Sequence, residues 1–481
     1  MEKVNQKITE PVRQLLSDKA WARWTALGLV ASMMLFAYMF VDVMSPLQSL
    51  VQTQRGWSPD AFGYYAGAEY ILNVFGFLIL AGIILDKTGI RFTGTLSASL
   101  MVIGAFIKLY AISDIFQGTA LDQWLNSWWV EMPGSAKLAA FGFMIFGCGC
   151  EMAGITVSKA LAKWFEGKEM ALAMGAEMAI ARLGVFVIFS ISPRLANWMG
   201  TPSVVIPVAF CSALLCIGLL SYIVFTFMDT KLDKEMGATK VAEEASEEEF
   251  KLADVGFIFR SKLFWIVALL CVLYYSAIFP FQRYAANMLQ CNLGISETQA
   301  ADIFRWFPVG AGILTPFLGY FLDKKGKGAS MLILGAILMI VCHLTFAFVV
   351  PATKSDFITY SAIVVLGVSF SLVPAALWPS VPKIMDKRFL GSAYSLIFWV
   401  QNIGLAFVPI IIGKILTATN PGVDDPMMYN YTAPMCFFAS LGALALIFGI
   451  ILKAMNAKNH YGLEDPNIKA DIDEVRLDGE A

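Results

Sequence analysis

Charge is scarce in this chain: only 15% of its 481 residues are charged and only two are histidine, while 58% are hydrophobic. A soluble globular domain runs nearer a quarter charged, so this much apolar surface cannot be hidden in one water-soluble core. Zinc-like spacings of cysteine with His343 or His460 are missing, which excludes a metal site, and no cofactor is expected. Seven of the eight cysteines lie inside apolar segments and only Cys291 lies near a loop, which excludes a disulfide framework. The Gly-x-x-x-x-Gly-Lys loop that cradles phosphates is also missing, so ATP does not drive the protein directly, and no enzyme constellation is visible. Residues 1–19 are polar with no short apolar region and cleavage site, so a removable signal peptide is not expected.

What is present is a series of long apolar runs. A bilayer core of roughly 30 Å is crossed by about 20 apolar helical residues. That rule predicts spans near 24–47, 62–85, 92–112, 138–165, 170–191 and 204–228, then 263–288, 300–322, 329–350, 358–385, 389–417 and 433–455. Residues 229–262 carry the acidic run Glu243–Glu249 and read as a solvated linker. The expected organisation is therefore an N-terminal tail (1–23), a six-helix bundle (24–228), a linker (229–262), a second bundle (263–455) and a C-terminal tail (456–481). The fold class is an all-α polytopic membrane protein of twelve spans, with the lipid bilayer as its first partner.

Lysine and arginine mark the sides. Lys3, Lys7, Arg13, Lys19 and Arg23 precede the first span, and Lys87, Arg91, Lys163 and Lys168 follow even-numbered ones. The linker, the loop holding Lys324, Lys325 and Lys327, and the loop holding Lys383, Lys387 and Arg388 continue the pattern, while alternate loops hold little beyond Arg55, Arg194 and Lys354. Basic loops stay cytoplasmic, so both termini are expected there. These basic residues are topogenic, and nucleic-acid binding is not indicated.

One pattern occurs twice. Gly82, Asp86, Lys87 and Gly89, with Arg91 beyond, close the second span; Gly319, Asp323, Lys324 and Gly326 close the eighth. A glycine lets a neighbouring helix approach. The aspartate one turn later can face that neighbour's positive N-terminus. The pair resembles the loop signature of the major facilitator superfamily. That resemblance implies two six-helix bundles around a central cavity, rocking between two open states, with the signature residues as gates and latches.

Further stretches carry a closer resemblance: Phe146 to Glu151, Trp164 to Glu169, Ala181 to Gly184, Tyr274 to Phe281, Ala376 to Pro379 and Gln401 to Ala406. Together they are similar to the lysosomal dipeptide transporter family. The resemblance implies a uniporter for dipeptides, including those with basic side chains, with Glu151 and Arg182 as the ligand-binding acid and base. The sequence departs from that family at Ser45-Pro46, at Arg283, and in lacking an acidic dileucine address around Leu15-Leu16. The expected location is thus a bacterial inner membrane or plasma membrane rather than a lysosome.

The residues themselves support such a site. Ionisable groups at mid-membrane depth cost about 2.5–3.5 kcal/mol on insertion scales, so they mark function by default. Glu151 and Arg182 fall near the middle of the fourth and fifth spans, and one fixed acid and one fixed base suit the two ends of a zwitterion. With no substrate, the two could neutralise each other; a permanent structural ion pair is the competing reading. Asp42 and Glu69 read either as groups that line the cavity or bind a proton, or as groups at the outer interface in contact with water. Arg283 and Arg305 are placed nearer the outer rim, Lys108 and Lys414 are expected to snorkel, and Glu177 points away from Arg182. Tyr274, Tyr275, Phe279 and Trp378, near Pro280 and Pro379, offer aromatic faces to a cationic side chain or simply pack the helices. Asn402 offers a neutral hydrogen-bonding group. Carriage of another solute (an inorganic or organic anion, or a drug), with or without proton coupling, and a non-transporting sensor or chaperone are the competing functions.

Overall fold

The computed structural model describes residues 15–129, 131–236, 252–385 and 390–466. The acidic run Glu243–Glu249, the basic residues Lys3, Lys7, Arg13, Lys387 and Arg388, and most of the C-terminal tail lie outside the described residues. No strand occurs among the described residues.

The apolar runs become helices because a backbone in lipid must satisfy its own polar groups. The first span is α1 (Ala20–Asp42), continued after a 3-10 turn at Ser45–Leu47 by α2 (Gln48–Arg55). The second is α3 (Pro59–Val74) and the start of α4 (Phe77–Ile112), whose remainder is the third span. A short distal helix α5 (Ala120–Asn126) precedes α6 (Gly134–Trp164), α7 (Met170–Ala196) and α8 (Val205–Met236). Beyond the linker helix α9 (Leu252–Ile258) come α10 (Lys262–Leu293), α11 (Glu297–Phe304) with α12 (Trp306–Lys325), and α13 (Gly328–Leu344), which a π turn joins to α14 (Val350–Thr353). The bundle closes with α15 (Asp356–Ile384), α16 (Leu390–Thr419) and α17 (Thr432–Asn459).

Among the described residues ten helices are long and apolar enough to cross a membrane. The other two crossings, the second and the eighth, are the interrupted ones: Gly76 (φ 95°) breaks the former and Arg305 the latter. Twelve crossings result, with the interruptions at equivalent places in the two halves. Two predicted boundaries shift. α8 runs on to Met236 and α17 to Asn459, both into segments read as linker and tail. In α8 the extra turns carry Asp229 and Asp233, which face Arg91 and Lys163, so paired charge extends the helix beyond its apolar part.

The first and last described residues and the signature loops lie at one end of the molecule, here called basal. The two bundles meet at the other, distal end. There α3 crosses α16 so tightly that a Cβ on Gly63 would stand 2.6 Å from the Pro409 carbonyl oxygen, and one on Gly413 would stand 2.5 Å from that of Pro59. Gly67 faces Ala406 in the same way. Small residues here let backbone meet backbone. Around this seam Ser49 Oγ donates to Gln290 (2.8 Å), Gln52 to Tyr429 (2.5 Å) and Arg194 to Asp302 (2.7 Å). Trp399 Nε1 reaches the Val74 carbonyl (2.8 Å) near mid-depth. Among the described residues no hydrogen bond or ion pair joins the two bundles at the basal end. The distal mouth is shut, and among the described residues the basal ends of the two bundles are not tied to each other.

Candidate substrate site between the two bundles

Glu151 projects from α6 and Arg182 from α7, and both keep partial access despite their depth. Gly147 lets α6 close against the backbone of Glu69 in α3, and Gly184 lets α7 close against Leu35 in α1. Those contacts fix the two helices on either side of α1. Arg182 then reaches from the first bundle to the second: its stem packs 3.7 Å from where a Gly312 Cβ would stand, and its guanidinium lies 5.5 Å from the Phe279 ring and 5.6 Å from the Phe370 ring. Tyr38 of α1 lies within electrostatic reach of Arg182, Glu151 and Glu177.

The anticipated pairing of Glu151 with Arg182 is not present: no ion pair or hydrogen bond joins them among the described residues. Both groups keep partial access to solvent, so neither needs an internal counter-ion. The same fact removes the reading of a permanent structural ion pair. Free of one another, the two charges can each take one end of a ligand.

An aromatic wall faces them. Tyr275 stacks on Phe279 (5.7 Å), Phe370 meets both edge-on, and Trp378 donates its Nε1 proton to Tyr275 Oη (3.1 Å) while stacking on Phe398 (4.8 Å). Phe279 thus lies beside Arg182, and Trp378 joins it through Tyr275. Tyr274 does not: it is fully buried and donates to the Leu332 carbonyl of α13, because one helical step turns it from the gap into the bundle. Asn402 is buried, its Nδ2 donating to the Phe398 carbonyl (3.0 Å) and its Oδ1 lacking a partner. Tyr38 and Phe370 were missed by sequence reasoning. Tyr38 lies one helical turn before Asp42, which is the only signal that could have singled it out.

Other charged groups are placed differently from expectation. Asp42 (1% exposed), Glu69 (4%) and Arg283 (6%) form one buried cluster rather than three groups near water. Arg283 lies within 3.2 Å of Asp42 and 2.5 Å of Glu69, partners more than 200 positions away in sequence. Lys108 does not snorkel: it is fully buried, 4.2 Å from the Phe40 ring and 4.7 Å from the Phe143 ring, with no hydrogen-bond acceptor. Small residues on α4 and α6, Gly104 and Gly142, draw those helices too close for its stem to escape. Lys414 is exposed beside Tyr64, as snorkelling requires.

The duplicated loops occupy equivalent basal positions. Gly89 (φ 75°, ψ 174°) and Gly326 (φ 70°, ψ −140°) hold backbone conformations that side chains disfavour. Gly82 and Gly319, expected to admit a neighbouring helix, face open space. Asp86 pairs with Lys159 of α6 (3.0 Å) rather than with a helix N-terminus, and Arg91 bridges to Asp233 (3.1 Å). Asp323 lies within electrostatic reach of Lys383.

Two pseudo-equivalent bundles, one shut mouth and a charged central gap define a membrane carrier. The Major Facilitator Superfamily profile matches residues 33–290 and 281–470. The chain belongs to the major facilitator superfamily and, within it, resembles the lysosomal dipeptide transporters. It is 31% identical to the zebrafish (Danio rerio) lysosomal dipeptide transporter MFSD1, over 79% of this chain and 77% of that protein. The human protein of the same name is 26% identical over 87% of this chain and 83% of its own length. Among solved structures, the inward-open xylose transporter XylE from E. coli superposes with a TM-score of 0.64 at 14% identity, covering 88% of this chain and 94% of the other.

Proposed function

We propose that the protein is a dipeptide uniporter working by alternating access, with Glu151 taking the cargo's ammonium and Arg182 its carboxylate. The observation that carries this reading is that the two groups are partly accessible and not paired with one another, on adjacent helices facing the gap. A dipeptide holds its charged ends a few ångströms apart, since each residue spans at most about 3.3–3.6 Å. Arg182 suits a carboxylate because its planar fork donates two parallel hydrogen bonds. The similarity to MFSD1 points to the same cargo. Phe279 and Trp378 line the space left for side chains, and Asn402 supplies an amide near the floor. The signature residues Gly82, Asp86, Gly89, Arg91, Gly319, Asp323 and Gly326 serve conformational change rather than ligand contact.

The basal end is cytoplasmic in this reading, following the lysine and arginine bias, and the membrane is a plasma or bacterial inner membrane. Counterflow of labelled dipeptides in proteoliposomes, with and without a pH gradient, is the direct test. Exchange independent of the gradient is expected. Glu151→Gln should lose roughly 10- to 150-fold in transport, the worth of a charge-assisted hydrogen bond of about 1.5–3 kcal/mol. Parental rates in that variant would remove Glu151 from the site.

A second reading, carriage of an organic anion, is favoured by one observation: among the described residues Arg182 has no ion-pair partner, and its guanidinium lies over the Phe279 and Phe370 rings. Uptake of labelled carboxylates that dipeptides fail to inhibit would select it.

A further inference from the structure

We infer that Asp42 and Glu69 form a second cation site in the distal mouth, which Arg283 fills while that mouth is shut and which an organic ammonium or guanidinium group of arriving cargo fills when it is open. The inference rests on the two-bundle carrier fold and not on the dipeptide reading.

The site is already built for a guanidinium. Arg283 Nη1 donates to the Val41 carbonyl and to Asp42 Oδ1 (3.2 Å), and Nη2 donates to Glu69 Oε2 (2.5 Å). Ser45 Oγ and Gln282 Nε2 hold the Asp42 carboxylate at 3.0 and 2.6 Å. Gln282, only 4% exposed, has an Oε1 with no partner, beside the same carboxylate that its nitrogen holds.

The ownership of these groups makes the cluster a moving part. Asp42 and Glu69 belong to the first bundle, whereas Gln282 and Arg283 belong to the second. Opening the distal mouth separates α10 from α1 and α3, and Arg283 leaves with α10. The other charges within reach of Asp42 or Glu69 are Lys108, Arg182 and Glu151, which stay with the first bundle, and among the described residues none is hydrogen-bonded to either. Three carboxylates and two cations are then left on the first bundle with one negative charge in excess. Leaving a buried carboxylate without its partner is costly, so a single positive group from outside restores what Arg283 takes away. When the mouth closes again, Arg283 returns and displaces that group toward Glu151, which lies within electrostatic reach of Glu69. Arg283 is therefore a tethered competitor of the cargo.

The test uses the intact chain in lipid nanodiscs and hydrogen exchange at the distal ends of α3 and α16. The probe is arginine amide, which carries positive groups and no carboxylate. Millimolar arginine amide should raise distal exchange several-fold in the parent, by favouring the state in which Arg283 has withdrawn. Asp42→Asn and Glu69→Gln should each abolish that response. Arg283→Gln should raise distal exchange with no probe present and tighten the probe's apparent affinity roughly tenfold, since the competitor is gone. If Arg283→Gln fails to fold, the comparison of the parent with the two carboxylate variants decides alone. An unchanged response in Asp42→Asn, or no response in the parent, overturns the inference. So does acid alone opening Arg283→Gln fully with the probe adding nothing, because the vacancy then belongs to a proton. Exchange is read without any dipeptide flux, so failure here and failure of the dipeptide reading are separate results.

Discussion

The two signature loops share a sequence pattern and a glycine-dependent turn, yet they are fastened by different means. The loop of the first bundle is tied by side-chain charge. Lys163 reaches Asp229 (2.8 Å) and Asp233 (2.6 Å), Arg91 reaches both, and Trp164 Nε1 donates to Asp229 (3.0 Å). The loop of the second bundle is strapped by the chain beyond α17. Lys327 and Gly328 donate their N–H groups to the carbonyls of Glu464 (2.9 Å) and Leu463 (3.0 Å), and the Glu464 carboxylate accepts from Ser330 N and Oγ (2.8 Å each). Lys383 adds bonds to the Gly462 and Asp465 carbonyls. A repeated motif thus fixes the turn and leaves each bundle to find its own fastening.

The comparison is broken most severely at the glycines themselves. A Cβ on Gly326 would meet Asp465 C at 2.6 Å and Pro466 N at 2.7 Å, whereas one on Gly89 meets nothing within 4 Å. Gly326→Ala should therefore cost about 3–5 kcal/mol, strain plus overpacking, against about 1–3 kcal/mol of strain alone for Gly89→Ala. Thermal unfolding in detergent reads the gap; equal losses would show that the strap does not press on the turn. The next effect belongs to the first bundle. Asp229, with its side chain 1% exposed, holds partners that remain partly hydrated, so Asp229→Ala should cost about 2–3 kcal/mol, in the range of charged hydrogen bonds. A midpoint unmoved by that change would make the ionic tie idle.

The smallest effect sharpens the contrast by pH. Hydrogen bonding from Arg23 holds the Glu169 carboxyl below its ordinary 4.5, and Lys168 holds that of Asp18 below 3.8. A carboxyl lowered by folding contributes above its unfolded value and loses that contribution as pH falls through the folded one. Between pH 7 and 5 the start of α1 should keep its protection; below about pH 4.5 it should loosen before the carbonyl-bound strap at 460–466 does. Exchange corrected for intrinsic rates would show it, and simultaneous loosening would erase the distinction.

Much of this architecture was legible from sequence. Twelve apolar runs, the duplicated Gly-x-x-x-Asp-Lys pattern and the alternation of basic loops follow from local composition, which is all that spanning a bilayer demands. Glu151, Arg182, Phe279 and Trp378 were legible because charge and aromatic rings beside prolines are conspicuous at mid-depth. What escaped depends on partners far along the chain. Arg283 was assigned near the outer rim by depth alone, since nothing local announces that Asp42 and Glu69 will close on it. Lys108 was expected to snorkel because its stem is long; only the close packing of α4 on α6 at Gly104 and Gly142 confines it. Tyr274 and Tyr275 are adjacent in sequence, and a single step of helical phase sends one into the bundle and the other to the gap.

The glycine seam between α3 and α16 has an electrical consequence. Where carbonyl oxygens of one helix rest directly on the α-carbons of the next, there is no gap in which a file of water could form. Along that seam ions find no file of water by which to pass the shut mouth, and a membrane storing a voltage across this protein loses none of it there.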